Sequence, residues 1–322
     1  MKTQGKARRH AEKSGFGKRP ERTVWLASMA LAAAGAAVLP SVAARGNFFV
    51  TNFSNGTIGE YTSSGGTVNA SLVTGLTTPF GLALSGSDLF VASIGGPIGE
   101  YTTSGTTVNS TLINTGSSSE PVDVAVSGSD LFVVNIKAGT VGEYTTSGGT
   151  VNASLISGLN SPVSIAISGS DLFVSNNGNG TIGEYTTTGT IVNASLITGL
   201  KTTSTLPYGI VVSGSDLFVV SQGAGTIGEY TTSGGTVNAS LISGLSTPYE
   251  LAVSGSDLFV ANFGNNTIGE YTTAGTTINA SLVSGLHGPV GIAVTTPEPV
   301  SLSLLAMGGV ALLLVKRRRK SA

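Results

Sequence analysis

Residues 251–283 read LAVSGSDLFVANFGNNTIGEYTTAGTTINASLV. The stretch divides into four short strands separated by turn signals. Strand a is Leu251-Ala252-Val253, followed by the turn Ser254-Gly255-Ser256-Asp257. Gly at the first central position is what a type II′ hairpin turn requires, because that position needs positive φ. Strand b occupies residues 258–262, and Gly264-Asn265-Asn266 makes the next loop. Strand c covers residues 267–272, and a turn at Ala274-Gly275 leads to strand d, residues 277–283. In strand d, Ile278, Ala280 and Leu282 alternate with Thr277, Asn279, Ser281 and Val283. That period of two predicts a half-buried strand.

The same unit recurs on both sides. Gly-Glu-Tyr has its Glu at 60, 100, 143, 184, 229 and 270, so the spacings are 40, 43, 41, 45 and 41. Ser-Gly-Ser-Asp has its Asp at 88, 130, 171, 216 and 257. Pro79, Pro121, Pro162, Pro207, Pro248 and Pro289 each precede a unit. A period near 41 residues with four strands is that of a propeller blade. The ends of the array call for closure. The first unit starts at strand b, Asn47-Phe48-Phe49-Val50, and the last leaves a spare strand a, Val290-Gly291-Ile292-Ala293-Val294. Together they complete one sheet and cover both open edges. The expected fold is all-β: a six-bladed β-propeller over residues 45–295 whose first and last segments share a blade.

Three elements carry a resemblance. Pro289-x-Gly291-Ile292-Ala293-Val294, Leu258-Phe259-Val260-Ala261-Asn262 and Asn265-Asn266-Thr267-Ile268 resemble NHL-type propeller repeats, and the likeness extends to all six units. NHL repeats commonly have Asp after strand b. Here Asn52, Asn135, Asn176 and Asn262, or Ser93 and Ser221, stand instead. The resemblance implies the fold and leaves the activity open, since this fold serves many functions.

The flanks read as addressing segments. Residues 1–22 hold eight Lys or Arg, an apolar run extends from Val24 to Leu39, and Pro40-Ser41-Val42-Ala43-Ala44 supplies small residues. This is the order of a signal peptide over residues 1–44, with a retained membrane anchor as the alternative. Residues 296–322 contain Pro297-Glu298-Pro299, an apolar stretch from Val300 to Val315, and the basic run Lys316, Arg317, Arg318, Arg319 and Lys320. Sixteen helical residues span roughly 24 Å, which is nearly membrane-crossing once residues 297–299 are added. The basic run would hold its end in the cytoplasm as a membrane stop. This tail resembles the PEP-CTERM sorting signal of bacterial exported proteins, with Pro297, Glu298 and Pro299 as its motif. The resemblance implies an exosortase-type sorting enzyme as partner. It also implies transient anchoring in the inner membrane, then transfer to the envelope surface or exopolysaccharide matrix of a Gram-negative bacterium.

Composition narrows the function classes. The chain has no Cys, which excludes disulfides, thiolate metal sites and a Cys nucleophile. The formal charge of −1 over 322 residues conceals a segregation. Residues 45–295 hold three basic residues against fourteen acidic ones, a net −11. Such a body is repelled by nucleic acid, so no nucleic-acid partner is expected.

Residues shared by every blade read as scaffold. The Glu of Gly-Glu-Tyr reads as a strand-c ladder residue, and the Asp of Ser-Gly-Ser-Asp as a turn cap. The Asn-Ala-Ser triplets match a glycosylation pattern but recur because strand d recurs. They predict an uncharged outer edge, with polysaccharide contact as the alternative. Residues that break the repeat are the candidate ligand contacts. Just before strand a, four units have Gly81, Ser164, Gly209 and Gly291, whereas two have Asp123 and Glu250. These acids are expected to flank the mouth of the central channel on roughly opposite sides. Lys137 and Gln222 are singular in the b–c loops, and His287 is the single His of the body. No metal or cofactor is called for. The reading is a non-catalytic exported propeller that binds glycan or protein. The alternative is a propeller lyase or lactonase-like hydrolase with its site at the channel mouth. General acid–base chemistry needs two groups within reach of one substrate, and Asp123 and Glu250 are the available pair.

Overall fold

The computed structural model describes residues 46–295 except Ser117, Thr203 and Ser204. The signal-peptide reading over 1–44 and the sorting-signal reading over 296–322 lie outside the described residues. Among the described residues no helix is long and apolar enough to cross a membrane.

The strands form six four-stranded antiparallel sheets. Blade 1 is ordered Pro289–Val294, Asn47–Asn52, Thr57–Thr62, Thr67–Val73. The last strand of the chain is thus the inner strand beside the first, with Phe48 opposite Val294 and Val50 opposite Ile292. The expected shared blade is present. In blades 2 to 6 strand a is Pro79–Ser85, Pro121–Ser127, Pro162–Ser168, Pro207–Ser213 and Pro248–Ser254. Strand a therefore begins at the Pro, three residues earlier than the sequence pattern suggests for blade 6. Backbone pairing to strand b skips a residue near its start, as between Pro121 and Asp123, and this hides the strand from a period-2 reading. The a–b turn is as expected, with Gly255 at φ +61° between paired Ser254 and Asp257.

Strand b carries most of the core because it is covered on both faces. In blade 3, Leu131 and Val133 pack toward Phe90 of blade 2, while Phe132 and Val134 pack toward Ile165 and Val174 of blade 4. This explains a continuous Leu-Phe-Val run in an antiparallel sheet. Phe49, Phe90, Phe132, Phe173, Phe218 and Phe259 are each 1% exposed, and each contributes about 2–3 kcal/mol of burial. The Gly-Glu-Tyr signature has a packing cause too. The Tyr61 ring lies over Gly59, where a Cβ would stand 2.5 Å from its hydroxyl. Tyr101, Tyr144, Tyr185, Tyr230 and Tyr271 lie over their own glycines in the same way.

Strand d departs from its expected half-burial. The first five residues are exposed in every blade, and the buried position is the last, Val283 in blade 6. Ile278 is 47% exposed. The c–d pairing shifts register twice, between Tyr271 and Glu270 and between Glu270 and Ile268. Bulges of this kind turn an outer strand and break its strict alternation. The Asn of each d strand accepts a hydrogen bond from the backbone N–H two residues on, as Asn279 Oδ1 does from Ser281 at 3.1 Å.

Candidate functional site

All six inner strands converge on one mouth of the ring. The second residue of each strand a is Val290, Phe80, Val122, Val163, Tyr208 or Tyr249, in blade order. With residues just after strand b, among them Phe53, Ile136 and Phe263, they line a cavity of about 290 Å³. Contributions from all six blades place this bowl on the ring axis. Its wall is apolar apart from Glu120 and the two tyrosine hydroxyls. Aromatic rings run across one side. Tyr249 meets Tyr208 at 4.9 Å, Phe263 at 5.1 Å and Phe80 at 5.7 Å between centroids. Phe80 meets Phe53 edge-on at 6.4 Å. Burial pushes the Tyr208 hydroxyl up to about 12, and neighbouring Tyr249 acts in the same direction.

One strand position deeper, the third residues of strand a are Gly291, Gly81, Asp123, Ser164, Gly209 and Glu250. Here the channel is narrow. Asp123, from blade 3, is 6% exposed. Its Oδ1 accepts from Val124 N at 2.9 Å and its Oδ2 from Ile165 N, on blade 4, at 3.0 Å. Glu250, from blade 6, accepts from Leu251 N at 3.3 Å and from the Ser164 hydroxyl at 3.2 Å. Ser164 Oγ also receives Ile210 N at 3.3 Å. The two acids do come from opposite blades. They do not flank the mouth, however: they reach inward beneath it and meet through Ser164. The reason is their place within strand a, a position below the bowl-lining residues.

Glycine makes the room. A Cβ on Gly81 would collide with the Asp123 carboxylate and lie 2.7 Å from Val122 O. One on Gly209 would collide with the Glu250 carboxylate and lie 2.7 Å from Tyr249 O. Each acid thus folds over a glycine of the preceding blade.

Burial raises the Asp123 carboxyl to about 7, against the lowering effect of its hydrogen bonds from Ile165, Val124 and Ser164. Burial, then the charge of Asp123, holds Glu250 well above the ordinary carboxylate range. Burial thus favours the neutral form of both carboxyls. The named partners of the pair are backbone N–H groups and one hydroxyl, none of them charged. Chemically, this is a buried pair of carboxyls, both raised, beneath an aromatic wall. A metal in the throat would find two carboxylates and a hydroxyl. Among the described residues no group of three or more His, Cys, Asp or Glu is clustered.

The other candidates lie apart from the pair. Lys137 is an exposed rim residue paired with Glu120 at 3.2 Å. Gln222 follows strand b of blade 5 but does not line the bowl, and its backbone N–H donates to Leu206 O. His287 is exposed, with its backbone N–H on Asn52 Oδ1 at 3.2 Å. The aromatic wall does not show among the charges that break the repeat. Its signal was the residue after each Pro, which is Phe80, Tyr208 or Tyr249 in three units and Val in the others.

No family model and no curated protein matches the sequence. Solved structures do match. A chain of a nidogen–laminin complex superposes with a TM-score of 0.62 at 16% identity, over 79% of this chain and 99% of that one. Virginiamycin B lyase from Staphylococcus aureus gives 0.56 at 22% identity, over 78% and 86%. A gluconolactonase from Xanthomonas campestris gives 0.56 at 14%, over 68% and 84%.

The fold is a six-bladed β-propeller, shared with these structures.

At these identities the likeness concerns the fold alone. A complex component, a lyase and a lactonase share one ring, so activity has to be argued from the site.

Proposed function

We propose that this chain is an exported, surface- or matrix-associated propeller that binds a partner in the axial bowl and performs no chemistry of its own. The observation that carries this reading is that the ring's two ends, Asn47 and Thr295, lie on the face opposite the bowl. Thr295 N donates to Asn47 O at 2.9 Å, so the ring begins and ends at one point. The bowl lies at the other end of the same strands, Pro289–Val294 and Asn47–Asn52. Five steps of ~3.3 Å separate the two faces by roughly 17 Å. A segment leaving the ring at Thr295 therefore starts on the face opposite the bowl. Residues 296–322, with Pro297-Glu298-Pro299 and the basic run 316–320, fit such a tether as a PEP-CTERM-like signal handled by an exosortase. A glycan or protein of the matrix is the partner this reading calls for.

Fractionation of cells expressing the full chain tests both halves. Replacing Pro297, Glu298 and Pro299 with Ala should leave the protein in the inner membrane. Replacing Phe80 and Tyr249 with Ser should release it from the matrix into the medium without lowering its export. Normal surface delivery of the first variant would overturn the sorting reading, and normal retention of the second would overturn the bowl.

One observation favours the alternative, a lyase or lactonase-like hydrolase. Asp123 and Glu250 are held as a coupled pair whose carboxyls are both raised, as a general acid and base are. Neither acid lines the bowl, which weighs toward binding. Turnover by the full chain that disappears in Asp123→Asn would reverse that judgement.

A further inference from the structure

We propose that the bowl takes a quaternary ammonium group: a weakly hydrated organic cation held against Tyr208, Tyr249, Phe80 and Phe263 above the Asp123–Glu250 pair. This rests on the reading of the bowl as a binding site and names the ligand class.

Three observations lead there. First, aromatic faces attract cations within about 6 Å of the ring centroid. The centroids of Phe80, Tyr208 and Phe263 all lie 4.9–5.7 Å from that of Tyr249. Phe80 and Tyr208 meet Tyr249 at 76° and 70°, so the ring planes are not parallel, and all four residues line the bowl. Second, the acid pair one strand position below has partners that are all uncharged. Lys137, on the rim of this mouth, is already committed to Glu120. Lys201 is directed to Gly178 O. Among the described residues, an ionised Asp123 thus lacks a basic partner, in a setting where charge is costly to bury. A cation in the bowl would supply one. Third, the wall offers a primary ammonium almost no acceptors. Such an ion would lose its hydration without replacement, whereas a trimethylammonium group carries little hydration to lose. A neutral apolar group would fill the bowl equally well but would gain nothing from the pair below.

The groups facing the pair are Gly81 of blade 2, Ser164 and Ile165 of blade 4, Gly209 and Ile210 of blade 5, and Leu251 beside Glu250. Tyr208 and Tyr249 face the bowl above it. Of these, Asp123 is raised to about 7 and Glu250 is raised as well. Cation binding should therefore tighten as pH rises from 6 to 8 and should release protons, because the cation favours the ionised pair.

Calorimetric titration of the full chain in detergent distinguishes the possibilities with three probes. Choline carries the charged head. 3,3-Dimethylbutan-1-ol is its neutral isostere. Ethanolamine has the strongly hydrated primary ammonium. Choline is expected to bind at least about fivefold more tightly than either of the others, the ratio an aromatic site of ~1 kcal/mol provides. Tyr249→Leu should lower choline affinity about fivefold. Asp123→Asn should do the same and remove the pH dependence, while leaving dimethylbutanol unchanged. Retention of the β-sheet circular dichroism spectrum checks that each variant is folded. If dimethylbutanol equals choline, the cation inference is overturned while the bowl remains a binding site. If no probe binds, the cation inference also fails, and matrix retention of the Phe80/Tyr249 variant still decides the bowl separately. Tighter binding of ethanolamine would overturn the argument from hydration.

Discussion

Ser164 reaches from blade 4 to Glu250 of blade 6, its hydroxyl donating to Oε2 at 3.2 Å. The same side chain accepts Ile210 N of blade 5 and interacts with Asp123 of blade 3. One hydroxyl therefore links four blades around the throat.

Ser164→Ala leaves two carboxyls and one backbone N–H short of a partner. A loss of about 1–3 kcal/mol follows from orphaning buried polar groups. In thermal unfolding this is a fall of about 2–4 °C per kcal/mol. Ser164→Thr, which keeps the hydroxyl, should recover part of it. An alanine variant as stable as the parent would remove the link from the account.

Stability should depend on pH through Asp123. Its folded carboxyl is raised from 3.8 to about 7, so the folded state holds a proton that the unfolded state has released. Between those values the native state binds more protons than the unfolded one, and stability falls as pH rises. Glu250, also raised, acts in the same direction. Denaturation midpoints measured from pH 4 to 8 should decline across this window, and Asp123→Asn should flatten the decline and exceed the parent at pH 8. A parent that gains stability from pH 4 to 7 would contradict the burial of the pair.

Gly209→Ala tests the throat geometry. The new methyl meets Tyr249 O at 2.7 Å and Glu250 Cα at 2.8 Å, both backbone atoms with little freedom. Overpacking of this sort costs about 1–3 kcal/mol. Gly81→Ala, against Asp123 Cα at 2.6 Å, should behave alike. Equilibrium denaturation in urea reads both.

Strand d provides a contrast within seven residues. Ile278→Thr, at a position 47% exposed, should change stability by no more than about 0.5 kcal/mol. Val283→Ala, at the buried end of the strand, should cost roughly 1–3 kcal/mol. A strand alternating as its letters suggest would give the reverse order.

The Asn side chains on the outer strands occupy amides that an open sheet edge would otherwise offer to a neighbour. Asn238→Ala should cost about 0.5–1 kcal/mol for its lost hydrogen bond. Replacing Asn69, Asn109, Asn152, Asn193, Asn238 and Asn279 together should shift the protein toward oligomers in light scattering. A strictly unchanged mass would show that the register bulges protect these edges by themselves.

The number of blades, their four strands and the closure of the ring were legible in the amino-acid sequence, because each is a local pattern repeated. A Gly-Glu-Tyr or Ser-Gly-Ser-Asp segment makes its turn or strand through neighbours within a few residues, so six copies predict six blades. Asp123 and Glu250 also stood out by breaking that repetition, and their origin on opposite sides of the ring followed from counting units. Their meeting did not follow. Ser164 and Glu250 are separated by 86 residues, and their contact depends on how narrow the channel becomes where Gly81 and Gly209 lack side chains. The bowl likewise required the tertiary structure, since Phe80, Tyr208 and Tyr249 are ordinary strand residues until the ring brings their ends together. Periodicity along one chain sets which elements form, whereas the distance across a closed ring is a property of all six at once.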